Sequence, residues 1–363
     1  MKKLISNSAI NSSAELAILS NLVFAGHDRQ VAAVDQLTRE QFQSVLELAN
    51  LNHVVIRAME AMRKITADQK DKERYEWAAD ALQHERVRIH RATTFLRKIC
   101  SDLIDAGHDV MVIKSLDHWP DLGSDLDLYT DANPAAVIDV MSRRFGASLF
   151  ERSWGDRLAN KWNFVIPGLP ELVEIHMGRL GQTGELINFA NSLIARSRVI
   201  QIGSGTFRVT CAEDRLMICT LQRMYRHFFL RLCDIADTVE LLENDHVDFE
   251  DLQAMSEESG IWEGVATFLV IVSDFAEHWR GSEVSLPGEV RSAARFGGDQ
   301  IGFARNFLRV PIMPHSVKLY ASEWVTLISQ GKIRNTARLS LLPWLATAAA
   351  VEQKITGSDK GIW

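Results

Sequence analysis

The chain has 363 residues, of which 40 are Lys or Arg and 47 are Asp or Glu, and its formal net charge is −7. This length favours two or three domains over a single core. The acidic balance excludes a global basic field that would recruit nucleic acid, although a local basic patch stays open.

The cysteines and the apolar runs favour a cytoplasmic protein. No two cysteines form a C-x-x-C pair, so their spacing predicts neither a zinc site nor a disulfide framework and favours reduced thiols in a cytoplasmic protein. The four are Cys100, Cys211, Cys219 and Cys233. The apolar run 16–25 follows Glu15 and is interrupted by Asn21, which favours a helix over an export signal. The run 341–351 contains Pro343 and is too short to span a bilayer, so we expect no membrane association.

Residues 1–104 are predicted to form an N-terminal helical region. Apolar residues recur at helical spacing over 16–23, 38–65 and 75–103, and the segment 67–72 is a polar connection. The third of these helices is dense in charge, which is typical of a solvated face.

At Gly107 the pattern changes to alternating strands and helices, and residues 105–210 are predicted to form an α/β core. Asn133 and Pro134 begin a helix that ends at Gly146. The glycines around Ser204 lack the helix and lysine of a phosphate-binding loop, so a hairpin turn is predicted there. Strands are predicted at 110–113, 126–130, 162–166, 172–177, 199–202 and 206–209.

Residues 211–363 are predicted to form a C-terminal helical domain. One apolar stripe over 217–242 predicts a single long helix. Further helices are predicted at 249–259, 262–279, 288–308 and 316–352, the last of them broken at Pro343. The predicted fold class is therefore α+β, with a small mixed β-sheet flanked by N-terminal and C-terminal helical regions.

Carboxylates on two predicted strands carry the signal for function. Side chains on a strand alternate between faces, so Asp125 and Asp127 share one face, and Glu174 and His176 share a face of a later strand. Adjacent carboxylates repel each other, and a cation between them relieves the repulsion. If the two strands are neighbours, the three carboxylates form a hard oxygen site suited to magnesium or manganese with a bound triphosphate.

The segment from Ser124 to Leu128 resembles the aspartate pair of the polymerase-beta-type nucleotidyltransferase superfamily. A closer similarity is to a bacterial nucleotidyltransferase family with a Leu-Lys-Gly motif, an Asp-x-Asp motif and a later Asp-x-His segment. The chain matches these three in order and approximate spacing with Ile113-Lys114-Ser115, Asp125-Leu126-Asp127 and Glu174-Ile175-His176. Residues 48–54 also resemble the family's N-terminal helical region, and residues 213–242 resemble the helix that follows its catalytic motifs. Two departures are Ser115 in place of glycine and Glu174 in place of aspartate.

The resemblance implies a nucleotidyltransferase-like core that transfers a nucleoside monophosphate from a nucleoside triphosphate, such as ATP, and releases pyrophosphate. It implies that Asp125, Asp127 and Glu174 are the catalytic and metal-binding residues, with Mg²⁺ or Mn²⁺ as the ion. Candidate contacts to the nucleotide are Lys114, Ser115, Ser124, Lys161, His176 and Arg179. For each lysine or arginine a solvated surface role stays open, and for His176 a structural one.

The acceptor is not specified by these motifs. The acidic net charge favours a small molecule over nucleic acid, because RNA binding normally requires a basic surface. Two other functions stay open. One is a non-catalytic nucleotide- or partner-binding module on the same scaffold, which Ser115 supports and the three carboxylates oppose. The other is an interaction protein of the toxin–antitoxin type.

Overall fold

The structure is a computed structural model, and it describes residues 13–341 and Trp344. Within these residues the fold is α+β, with a mixed seven-stranded sheet between two helical regions of the sequence. The predicted fold class is therefore confirmed. The predicted break at Pro343 and most of the run 341–351 lie outside the described residues.

Five helices precede the sheet: α1 (Ala14–Phe24), α2 (His27–Asp35), α3 (Arg39–Leu51), α4 (Val55–Gln69) and α5 (Lys72–Asp105). The prediction of one helix over 38–65 with at most a kink is wrong, because α3 ends at Leu51 and α4 begins at Val55. His53 between them has a φ of 53°, a left-handed conformation that an α-helix cannot contain. The prediction also missed α2.

The large sheet has seven strands in the order β3-β4-β5-β2-β1-β7-β6. They are β1 (Val110–Val112), β2 (Asp125–Thr130), β3 (Ser148–Leu149), β4 (Lys161–Val165), β5 (Leu172–Met177), β6 (Arg198–Ile202) and β7 (Gly205–Val209). The helices of this region are α6 (Pro134–Phe145), α7 (Trp154–Leu158) and α8 (Ile187–Arg196). β2 runs parallel to β5, and β1 runs parallel to β7. The hairpin predicted around Ser204 is confirmed by the antiparallel pairing of β6 and β7.

The chain after the sheet is helical, with a second, three-stranded sheet in the order β8-β10-β9. Its helices are α9 (Ala212–Thr220), α10 (Leu232–Asn244), α11 (Phe249–Ser259), α12 (Trp262–Arg280), α13 (Gly288–Ala293), α14 (Val317–Ser329) and α15 (Ile333–Leu339). Its strands are β8 (Phe229–Leu230), β9 (Gly302–Ala304) and β10 (Phe307–Arg309). A π-helical turn occupies Leu221–His227, and the segment Ile312–Ser316 before α14 is kinked at Met313, whose backbone is extended.

The small sheet overturns two predicted helices. The helix over 217–242 is interrupted at Phe228, whose φ is 55°, and β8 then pairs with β10. The helix over 288–308 stops at Ala293, and β9 and β10 form a hairpin instead. The hairpin turns at Arg305 and Asn306, both with positive φ, as the tightest hairpin turns require.

One hydrophobic core crosses the predicted boundaries at 104 and 210. Phe24 of α1 packs edge-to-face on Phe275 of α12, with ring centroids 5.4 Å apart. Asn52, after α3, binds the start of α10, because its carbonyl and side-chain oxygens accept hydrogen bonds from the amides of Cys233 and Leu232. Among the described helices, none is long and apolar enough to cross a membrane.

Glu323 on α14 is fully buried, and within the described chain neither of its carboxylate oxygens has a hydrogen-bond partner. Burial, with the nearby Glu185 carboxylate, raises the pKa of Glu323 well above its ordinary value. The folded state therefore holds a proton that the unfolded chain releases, and stability falls as the pH rises above the unfolded-state pKa.

We expect Glu323→Gln to be more stable than the parent at pH 8 and to lose this advantage at pH 4, because glutamine cannot ionise. Urea unfolding at both pH values measures the difference. Glu289→Gln, a change of the same kind at an exposed position, is the control and should show no such trend. An advantage for Glu323→Gln that is the same at both pH values would contradict the ionisation of Glu323.

Candidate active site

The three carboxylates lie on one face of the sheet, because β2 and β5 are neighbours. Asp127 is directly opposite Glu174 in the parallel register, and in-register partners share a face. Asp125 lies two residues before Asp127, and His176 lies two residues after Glu174, so both are on this face as well. Lys161 of β4 joins them, because it is directly opposite His176.

Asp127 is buried against two basic side chains. Lys114 forms a short ion pair with Asp127 Oδ1, and His176 Nε2 lies 3.6 Å from the same oxygen. Burial acts to raise the pKa of Asp127, but Lys114 and His176 outweigh it and hold that pKa far below its usual range. Burial, together with Lys114, lowers the pKa of His176 to about 4, so the ring is neutral at pH 7 and can serve as a ligand.

Glu174 is paired with a lysine in the same way. Lys161 Nζ lies 3.0 Å from each carboxylate oxygen of Glu174 and 3.0 Å from Asp156 Oδ1. Arg226 approaches that Asp156 oxygen at 3.7 Å. Lys161 therefore bridges two carboxylates, and its ammonium group lies inside the acidic cluster.

Asp125 differs from the other two carboxylates because no ion pair of the described residues includes it. It is half-buried at the start of β2. Burial, with the carboxylates of Glu174 and Asp127, raises the pKa of Asp125 to about 7. A carboxyl group with this pKa is partly protonated at neutral pH and can exchange protons there.

Lys114 and Ser115 form a tight turn that connects β1 to the site. Lys114 has a φ of 59° and a ψ of −57°, and the Ser115 amide donates to the Ile113 carbonyl over 2.6 Å. This is a γ-turn of the strained, positive-φ type. Ser115 Oγ accepts a hydrogen bond from the Asp127 amide (2.7 Å) and donates to the Asp125 carbonyl oxygen (3.2 Å). The serine hydroxyl thus joins the turn to the backbone of both aspartates.

We expect Ser115→Ala to reduce the free energy of unfolding by about 1–3 kcal/mol, because it leaves the buried Asp127 amide without a partner. Ser115→Gly, which restores the residue expected from the resemblance, should be destabilised at least as much. Chemical denaturation measures both, with Ser142→Ala on the exposed face of α6 as the control. A Ser115→Gly protein as stable as the parent would show that the hydroxyl is not a structural contact.

Two predicted contacts lie apart from this cluster. Ser124 is exposed and lines a cavity of about 270 Å³ with His53 and Arg88. Arg179 follows β5 and donates a hydrogen bond to the Gly184 carbonyl over 3.2 Å. The structure thus brings Lys114, Ser115, Lys161 and His176 together with the three carboxylates, and it gives Ser124 and Arg179 other surroundings.

Sequence reasoning missed Asp156 and Arg226. Asp156 caps α7 reciprocally with Ser153, because each side chain accepts a hydrogen bond from the other residue's amide. The Ser-x-x-Asp spacing of such a capping box was a visible signal for a helix there. Arg226 lies in the π-helical turn before β8, so the prediction of one long helix gave no reason to direct its side chain toward β4.

The donor atoms of the cluster are of the kinds that bind metal ions. Asp127, Glu174 and His176 offer ligand atoms that all lie within 4.8 Å of one another. Two carboxylates and a neutral imidazole suit Mn²⁺. Mg²⁺ is the alternative, and because it prefers oxygen ligands it would need water molecules to complete its coordination shell. The predicted ligand set contained Asp125, whereas this group contains His176 in its place. An ion here would require the Lys114 and Lys161 ammonium groups to move off the carboxylates.

No protein-family model matches the chain, and no curated protein shows significant similarity to it. The resemblance to nucleotidyltransferases therefore stays a prediction that depends on the three motifs and on the cluster they form.

Proposed function

We propose that the protein is a metal-dependent nucleotidyltransferase that moves a nucleoside monophosphate from a nucleoside triphosphate to an acceptor and releases pyrophosphate. The observation that carries the proposal is the direct in-register pairing of Asp127 with Glu174, with Asp125 on the same face. Carboxylates on adjacent strands are otherwise costly to bury, and phosphoryl transfer needs such a site to position and neutralise phosphate charge.

The chain's own residues can be assigned roles in this reaction. A divalent cation held by Asp127, Glu174 and His176 would neutralise the triphosphate and polarise its phosphorus–oxygen bonds. Lys114 and Lys161 would transfer their ammonium groups from carboxylate to phosphate oxygens. Asp125 would accept the proton of the acceptor hydroxyl. The acceptor oxygen then forms a bond to the α-phosphorus, and the bond between the α-phosphorus and the oxygen that bridges to the β-phosphate breaks.

Within this proposal the acceptor is a small molecule, because the net charge of −7 disfavours nucleic acid. Within this proposal the protein works in the reducing cytoplasm, where nucleoside triphosphates are present, and the spacing of its cysteines favours that compartment.

A second candidate function is supported by the two lysines. Because Lys114 pairs with Asp127 and Lys161 pairs with Glu174, two of the three carboxylates are already neutralised without a metal ion. A site whose carboxylates are paired with lysines in this way could bind a nucleotide or a partner without turnover.

The two functions are separated by measuring pyrophosphate. The protein is incubated with Mg²⁺ or Mn²⁺ and each nucleoside triphosphate, together with either a small-molecule cell extract or total RNA. Nucleotidyl transfer predicts metal-dependent pyrophosphate release that the small-molecule extract stimulates. Nucleotide binding without pyrophosphate release under every condition would favour the non-catalytic module, and stimulation by RNA alone would overturn the small-molecule acceptor.

A further inference from the structure

A second group of metal-ligating side chains lies outside the carboxylate cluster. His53, His118 and Cys233 offer ligand atoms that all lie within 4.8 Å of one another. They come from three distant segments: the break between α3 and α4, the connection between β1 and β2, and the first turn of α10. Cys233 is fully buried. Three distant segments therefore bring two imidazoles and one thiol to a single point.

His118 is oriented by a carboxylate on its other ring nitrogen. Its Nδ1 lies 2.5 Å from Asp237 Oδ2, and its Nε2 lies 4.0 Å from Cys233 Sγ. Asp237 is one turn after Cys233 on α10, so one helix holds both the ligand and the group that orients its neighbour. A carboxylate on the far nitrogen is the usual support of a metal-binding histidine, because it fixes the ring and raises its basicity.

His53 is held next to Cys233 by the backbone. Its left-handed conformation follows Asn52, which accepts hydrogen bonds from the amides of Leu232 and Cys233. Within the described residues, His53 Nδ1 is buried and has no hydrogen-bond partner. A buried ring nitrogen without a partner is costly, and a metal ion is one way to satisfy it.

We propose that His53, His118 and Cys233 form a binding site for a divalent cation of the zinc class. A set of two nitrogens and one sulfur selects a borderline-soft, tetrahedral ion over Mg²⁺ or Mn²⁺, which prefer oxygen. Three protein ligands leave a fourth coordination position, which a water molecule would fill. The site does not depend on the proposed nucleotidyl transfer.

This proposal departs from the expectation, drawn from cysteine spacing, that the chain holds no zinc site. That argument considered only pairs of cysteines close in sequence. Here a single cysteine joins two histidines that lie far from it in the chain, so sequence spacing carried no signal.

The same groups suggest a nucleophilic triad, because Cys233, His118 and Asp237 follow one another in the order thiol, imidazole, carboxylate. A nucleophilic thiol must reach a substrate, however, and Cys233 has no exposed surface. Burial therefore favours a metal ligand over a nucleophile.

A bound ion would act as a structural connection. His118 lies in the segment that begins with Lys114 and ends just before Asp125, whereas His53 and Cys233 belong to the flanking helical regions. An ion at this point would hold the segment against both regions.

The test uses cobalt as a spectroscopic probe of the untagged, full-length protein. We expect Co²⁺ at this site to give the intense visible bands of tetrahedral cobalt and a near-ultraviolet thiolate-to-cobalt charge-transfer band, and Zn²⁺ to bleach both. The charge-transfer band reports sulfur coordination and cannot arise from the carboxylate cluster. Its absence from the parent protein would overturn the proposal without any variant.

Variants then assign the ligands. Cys233→Ser should abolish the charge-transfer band, whereas Cys219→Ser, a cysteine on α9 outside the group, should keep it. His53→Asn, which suits the left-handed backbone, should weaken Co²⁺ binding in a chelator competition. Asp237→Asn should weaken it about 10–100-fold through the orientation of His118. Circular dichroism verifies that each variant is folded. A band that persists in Cys233→Ser or disappears in Cys219→Ser would contradict the assignment.

Discussion

Asp127→Asn is expected to lower the rate of metal-dependent pyrophosphate release by about 10³-fold or more. A catalytic metal contributes several kcal/mol of charge stabilisation, and each 1.36 kcal/mol corresponds to a tenfold change in rate. Asp127 is the carboxylate common to the ion pair with Lys114 and the contact with His176, so its charge is central to the cluster. Glu174→Gln, on the adjacent strand, should have an effect of similar size.

Asp131→Asn is the matched control for this prediction. Asp131 directly follows β2 and is exposed, so the same chemical change close by in sequence should leave the rate within about twofold of the parent. Circular dichroism and the unfolding transition verify that Asp127→Asn is folded. A folded Asp127→Asn protein with the parent's rate would remove the carboxylate cluster from the mechanism.

Arg223→Met is expected to reduce the free energy of unfolding by about 3–5 kcal/mol. Arg223 and Asp234 form an ion pair of 2.7 Å in which both side chains are only 2% exposed. Removing one partner of a buried pair leaves the other charge buried and uncompensated, which is the costly outcome. Asp234 also accepts a hydrogen bond from the Arg231 amide at the start of α10, so its charge cannot easily leave the interior. Guanidinium unfolding measures the loss.

The double variant Arg223→Met with Asp234→Asn tests the physical reason. Because it removes both charges, it should recover part of the stability lost in Arg223→Met. The exposed pair of Arg291 and Glu283, at 2.8 Å, is the comparison. Arg291→Met should cost less than about 1 kcal/mol. Equal losses at the buried and exposed pairs would show that burial does not determine the cost.

Local patterns predicted much of the sheet. The alternation of Asp125 and Asp127 with leucines predicted β2, and Asn133 with Pro134 predicted the start of α6. These predictions succeeded because the period of two and the capping residues act within a few positions of the chain. The same patterns could not predict that β2 pairs with β5, because pairing depends on contacts between residues that are far apart in the chain.

The small sheet could not be predicted from local patterns. Phe229 and Phe307 stack with ring centroids 4.4 Å apart across β8 and β10, although they are far apart in sequence. This contact stabilises strands in segments whose apolar spacing is helical. In the candidate site, the pairing of Lys114 and Lys161 with carboxylates could not be predicted for the same reason, since each contact joins different strands or turns.

The packing of α1 against α12 has a consequence for synthesis of the protein. Phe24 and its partner Phe275 are roughly 250 residues apart in the chain. At about 5–20 residues per second, the ribosome makes α12 roughly 10–50 s after α1. During that interval the face of α1 that α12 will cover is available to chaperones and to neighbouring nascent chains. Slower growth or added chaperone during expression should therefore affect the yield of this protein more than that of one whose first helix packs only on its immediate successors.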